Sequence, residues 1–174
     1  MCWSSLVWFS GRIPKAAFCL WLAIREPLYT QDRWFIYDPT VRCLLCNAQL
    51  ENHHHLFFEC PISSQIWRSV QNKGVFNVPA QNWFNMIEWI STEWRNDNLT
   101  HQSWKLSLAV TVYIIWQERN SRLHGKPANG ITHIIEKIFE LIRIKLSSLK
   151  GLPTSSANRG TAAIWNLPDS IFDK

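Results

Sequence analysis

The sequence predicts a mostly α-helical protein interrupted by one small loop rich in cysteine and histidine, with further long helices after it. Three observations predict this. Apolar residues recur at helical spacing in successive runs, as in Trp83, Ile87, Ile90 and Trp94. No stretch alternates apolar and polar residues long enough to require a sheet. Residues 43–60, CLLCNAQLENHHHLFFEC, gather three cysteines and three adjacent histidines into a segment without long periodicity.

The elements follow in order. IPKAAFCLWLAIREPL opens a helix at Pro14, which suits a helix's first turn, and Pro27 ends it; Phe18, Trp21 and Leu22 are expected on one face. Thr30 can cap a short second helix through QDRWFIY, and Asp38-Pro39 marks a turn. Residues 40–60 read as loop or short strand. Pro61 restarts a helix with Ile62, Ile66, Trp67 and Val70 on one side, and Lys73-Gly74 stops it. The Trp83–Trp94 stripe makes the next helix. A long helix runs from about Gln102 to Leu123 and breaks at GKPANG, and Ile131 to Leu149 forms the last strong one before Gly151. Residues 8–75, 80–150 and 151–174 are therefore expected as a loop-bearing domain, a helical region and a flexible tail, onto which Trp165 and Ile164 can still dock.

Composition narrows the class. Hydrophobic residues make up 47% of the 174 and charged ones 18%, which is enough for a core and too apolar for disorder. Most of the 11 tryptophans, Trp83, Trp89 and Trp94 among them, are expected inside. Five cysteines with no secretory signal before them point to a reducing interior, so an intracellular, nuclear or cytoplasmic protein is expected rather than a secreted one. LSLAVTVYIIW is too short to cross a bilayer, so no membrane partner is expected. The net charge is +5, and all of the excess lies in residues 101–150, with eight basic and three acidic side chains. The cysteine-rich segment sits in a region of zero net charge, which argues against an electrostatic clamp there.

The cysteine segment has metal-ligand spacing. Cys43-x2-Cys46 can hold one ion from a tight turn, and His55-x4-Cys60 can close a tetrahedron from the other side. Three sulfurs and one imidazole suit a single zinc ion, which accepts such donors and asks only for four-coordination. His53 and His54 are alternative imidazoles. His55 is preferred because the LFF that follows packs inward while Cys60 returns to the site. The competing redox function of a C-x-x-C pair wants a βαβ context, which is missing. Four protein ligands leave no open position, so the metal would be structural and would fold a loop with too little core of its own.

At these residues the chain resembles a known family. Ile13-Pro14-Lys15, Phe18, Trp21-Leu22-Ala23, Leu28, Thr30, Asp32-Arg33, Cys43, Cys46, His55 to Cys60 and Ile66-Trp67 occur in the order found in the zinc-binding domain of reverse transcriptases from non-LTR retrotransposons, a family abundant in plants. The resemblance spans about residues 8–70, and IIWQERNSRLHG (114–125) resembles the helical stretch that often follows, before a ribonuclease H domain. It implies a ligand set of Cys43, Cys46, His55 and Cys60. It also implies a non-catalytic module that helps hold an RNA or DNA template, with polymerase or ribonuclease H domains as partners and no small-molecule substrate. The chain has no Asp-Asp pair of the polymerase type and no recognisable ribonuclease H carboxylate set, so no enzyme activity is expected.

Arg119, Arg122, Lys126, Lys137, Arg143 and Lys145 are the candidate nucleic-acid contacts, with His124 and Lys150 beside them, because phosphate contacts need only cations on one face. The alternative is a solvated helix face with Glu118 and Arg122 paired at i, i+4. Arg12, Lys15, Arg25, Arg33 and Arg42 form a second set, offset by as many acids. Two other functions compete: a helical protein–protein scaffold with an incidental zinc, and a decayed fragment without function.

Overall fold

A computed structural model describes residues 3–33, 41–79, 82–96 and 98–173. Seven α-helices are found among them: α1 (Ser4–Val7), α2 (Pro14–Arg25), α3 (Pro61–Gly74), α4 (Trp83–Glu93), α5 (Leu99–Leu123), α6 (Ile131–Ser147) and α7 (Ser156–Trp165). No strand occurs among the described residues; a bridge between Arg42 and Leu50 and another between Leu152 and Phe172 stand alone. The mostly α class holds.

Helix α5 is the axis of the molecule. Asn98 caps it by accepting the backbone N–H of His101 at 2.8 Å. Leu106, Leu108, Val110, Val112, Ile114 and Ile115 are all buried, so it is apolar on every side rather than striped. That follows from its place, with α2, α3, α6 and α7 all packed against it. Ser103, Ser107 and Thr111 are buried in this helix without cost in orphaned groups, since each hydroxyl donates to a carbonyl one turn back. Helix α6 shows the cleaner pattern, with Ile134, Ile138, Ile142 and Leu146 buried in one i, i+4 row.

The expectations for individual elements are met unevenly. Trp83, Ile87, Ile90 and Trp94 are all buried as expected, while Trp89 is only partly so. In α2 the inward face is Ala16, Ala17, Cys19, Leu20 and Ala23, which leaves Phe18 52% exposed and stacked on Trp21 at 5.6 Å. Small residues win that face because α2 lies close along α5. The short helix expected through QDRWFIY is only a 3-10 turn, Gln31–Arg33, where Thr30 donates its hydroxyl to Asp32 instead of capping; residues 34–40, and the expected turn at Asp38-Pro39, lie outside the described residues.

The stop of α3 is displaced by one residue. Val75, not Gly74, takes the left-handed conformation at φ 52°. Gly74 is needed inside the helix because a Cβ there would stand 2.5 Å from the Phe76 ring. That ring is held among Trp67, Trp94 and Trp104 at centroid distances of 5.6, 5.3 and 5.8 Å.

Within the segment expected as a flexible tail, onto which Trp165 and Ile164 can dock, residues 151–173 are described and pack on the helices before them. Ser155 caps α7, Asn158 accepts the N–H of Leu99 at 3.2 Å, and Thr161 pairs with Thr100 at 2.8 Å. Trp165 is buried edge-on to Phe139. A predominantly polar, Ser- and Gly-containing segment reads as mobile from composition, but its polar groups are spent on α5. No helix among the described residues is long and apolar enough to cross a membrane.

Candidate metal centre

Two local structures bring the cysteine and histidine side chains together. The first is a tight knuckle. Cys43 N–H donates to the Gln49 carbonyl at 2.7 Å and Asn47 N–H to the Cys43 carbonyl at 2.8 Å. Asn47 turns the chain with φ 54°, a conformation asparagine tolerates better than most residues. The second is a π-helical turn over His55–Glu59, closed by Cys60 N–H donating to the His55 carbonyl at 2.7 Å.

The π turn explains the x4 spacing. Along an α-helix, residues five apart differ by about 140° around the axis, so His55 and Cys60 would diverge. Closing the turn from i to i+5 brings them back to one side. Asn52 starts the turn by accepting the His55 backbone N–H at 2.8 Å. Cys60 then stands directly before α3, with Pro61 in the first helical position.

The ligand atoms of Cys43, Cys46, His55 and Cys60 all lie within 4.8 Å of one another, and Cys46 Sγ is 3.3 Å from His55 Nε2. Cys43, His55 and Cys60 are buried, and Cys46 is partly so. At zinc's bond lengths, tetrahedral ligand atoms stand about 3.3 to 3.8 Å apart. The donor set therefore suits a zinc-type ion, and the Cys46–His55 pair already stands at such a spacing. The Cys60 thiol is shifted down, first by the Cys43 thiol donating to it, against burial, and then by the N–H groups of Ser63 and Ile62. Cys43 is shifted up by that same bond and by burial. A thiolate at a helix N-terminus is the form a metal ligand needs.

The other two imidazoles are used differently. His53 is buried edge-on against Phe57 and Trp83, at 4.9 and 5.1 Å, and burial pushes its pKa down to about 4, so it is a neutral core residue. His54 is half-buried, packed on Phe84 with Nε2 3.9 Å from Glu26. Only His55 faces the three sulfurs.

A buried clamp ties this centre to α5. Glu51 and Arg119 are almost wholly buried and 2.6 Å apart. The Glu51 carboxylate accepts from Arg119 Nε and Nη2, from Gln31 N and Nε2, and from Leu44 N. One turn on, Arg122 donates to the carbonyls of Leu44 and Leu45, inside the C-x2-C knuckle, at 3.1 and 2.9 Å. Glu118 holds Arg122 at 2.9 Å and accepts twice from Asn129, which lies in the α5–α6 connection.

This corrects the set of nucleic-acid candidates. Arg119 is buried in an ion pair, and Arg122 is spent on Glu118 and the knuckle carbonyls, so neither cation is free for phosphate. The i, i+4 pairing of Glu118 with Arg122 is present. Lys126 and Lys137 line one cavity together, whereas Arg143 lines another beside Glu136 and Glu140. Lys145 is half-buried in the last turn of α6. From the second set, Arg33 is paired with Glu26 at 2.8 Å and Arg12 donates to the Phe9 carbonyl. Glu51, Asn52 and Asn129 were not singled out by sequence. Only the position of an acid beside three histidines hinted at Glu51, and its partner lies 68 residues away.

Comparison with known proteins gives one finding. Residues 1–67 match the model of a family described as zinc-binding in reverse transcriptase. No curated protein and no solved structure matches the chain.

Proposed function

We propose, since residues 1–67 match the model of a family described as zinc-binding in reverse transcriptase, that Cys43, Cys46, His55 and Cys60 hold one structural zinc ion. The chain would then be a non-catalytic module that contributes nucleic-acid contacts beside polymerase or ribonuclease H domains. The convergence of those four ligand atoms within 4.8 Å carries this proposal. Bound zinc would cross-link the knuckle, the π turn and the start of α3, and four protein ligands leave it no position for an activated water. Asn52 orients the His55 backbone, and Glu51, Arg119 and Arg122 fix the knuckle that presents Cys43 and Cys46.

Nucleic-acid binding is supported by the excess of basic side chains in residues 101–150, even without Arg119 and Arg122. The test is binding of labelled single-stranded RNA and DNA to the zinc-loaded chain across a salt series. Affinity that falls steeply with salt is the expected result. A second function, a protein-interaction scaffold, is favoured by Trp8 and Phe18, which are 45% and 52% exposed. Self-association or partner binding insensitive to salt, with no affinity for nucleic acid, would replace the first reading by this one.

A further inference from the structure

Between the end of α5 and the start of α6 lies a cavity of about 420 Å³. Four basic or potentially basic side chains line it: His124, Lys126, His133 and Lys137. All four residues are exposed, and none of these side chains has a hydrogen-bond or ion-pair partner among the described residues. Gln117, Asn120, Ser121 and Asn129 add neutral polar groups to the wall. The Asn120 oxygen accepts from Arg119 Nη1 at 3.0 Å, so its amide N–H groups are left to point elsewhere. The buried Glu51–Arg119 pair thus sets the direction of a donor in this wall.

Negative charge is scarce by contrast. Glu118 is the one carboxylate among the lining residues, and Arg122 and Asn129 already occupy both of its oxygens. The nearby acids of α6, Glu136 and Glu140, line a different cavity with Lys73 and Arg143. Helix α6 therefore separates a face of unpaired donors from a face of mixed charge. A cavity with two ammonium groups and no unpaired carboxylate recognises an anion, and those groups with imidazoles and an amide match the oxygens of a phosphate.

We propose that this cavity binds a phosphate group, and that its source is the backbone phosphodiester of a nucleic-acid strand. The second half of the proposal rests on the nucleic-acid function put forward above; the first half does not. The site lies outside residues 1–67, so nucleic-acid contact would belong to the α5–α6 junction and not to the metal loop. The clamp from Glu118 and Arg122 to the knuckle carbonyls would hold the two in fixed relation.

The test uses the full zinc-loaded chain, Lys126→Ala/Lys137→Ala, and a control of equal charge, Arg68→Ala/Arg95→Ala, at two exposed cations outside both candidate sets. One probe is labelled single-stranded RNA of mixed sequence, and the other is inorganic phosphate, followed by the ring proton signals of His124 and His133. The cavity variant should bind RNA more weakly whatever the sequence. Its log–log salt slope should be shallower by about 1.4, two contacts at about 0.7 each. The control should keep the wild-type slope, and phosphate should move both histidine signals in the wild type and the control but not in the cavity variant. RNA binding equal in wild type and cavity variant, with unmoved histidine signals, overturns the cavity and leaves the nucleic-acid function to other cations. Equal losses in the cavity variant and the control also overturn it, as the signature of diffuse charge. Histidine signals that move with phosphate while no chain binds RNA would uphold a phosphate site for a small ligand and overturn the nucleic-acid source.

Discussion

Glu51 and Arg119 show what a buried charge requires. Neither side chain reaches water, and each is tolerable only because the carboxylate is saturated with N–H donors from three parts of the chain. Arg119→Met should destabilise the fold by about 3 to 5 kcal/mol, since it leaves the carboxylate buried and unpaired. The double change Glu51→Gln/Arg119→Met should recover most of that loss, and urea denaturation of the three proteins measures both effects. Glu118 makes a pH prediction. Burial alone would raise its pKa, but the bonds from Asn129 and Arg122 outweigh it and hold the carboxyl below its usual 4.5. A depressed folded value means that stability from this group is full above 4.5 and is lost as pH falls through the lower folded value. The stability gap between wild type and Glu118→Gln should therefore narrow with acidification below that point, and a gap constant with pH would refute the assignment. Of these partnerships, only the i, i+4 pairing of Glu118 with Arg122 is legible in sequence. The Glu51 partner of Arg119 and the carbonyl partners of Arg122 stay hidden because they lie 68 and 77 to 78 residues away.

Among the elements, α3 and the π turn carry the most information. Gly74→Ala would stabilise an ordinary helix interior, yet here the new methyl meets the half-buried Phe76 ring, which packs among Trp67, Trp94 and Trp104. It should cost about 1 to 3 kcal/mol by overpacking, read as a lowered thermal midpoint. The stop expected at Lys73-Gly74 was nearly right in position, but the glycine answers to Phe76 and not to a left-handed cap. The π turn was hidden for a different reason. Residues 53–59 show no α-helical period, and only the i to i+5 closure explains why His55 and Cys60 meet. Arg122 links this scale to the metal. Arg122→Ala should free the Leu44 and Leu45 carbonyls and speed the transfer of zinc to a chelator several-fold, with helical content unchanged. Release at the wild-type rate would show that the clamp does not support the knuckle.

Across the whole molecule, the helical class and the runs of α3 to α6 were readable because their apolar rows are regular and their stops are Gly or Pro. The long-range organisation was not. Expected boundaries near residues 75 and 150 do not separate independent bodies, because α5 packs against α2 before it and α7 after it. The metal-loop segment completes its shell with arginines from a helix beyond residue 67, so the folding unit reaches past the segment that matches the family. The four candidate ligands were legible from spacing, and packing supports His55 among the three histidines, since His53 sits in an aromatic core and His54 beside Glu26. Zinc content per chain tests the central claim most directly, measured on wild type, His53→Ala, His55→Ala and Cys60→Ser. One zinc per chain in the first two, and a marked loss in the last two, is the predicted result. Wild-type protein without zinc, or a site that survives His55→Ala and fails in His53→Ala, would contradict it.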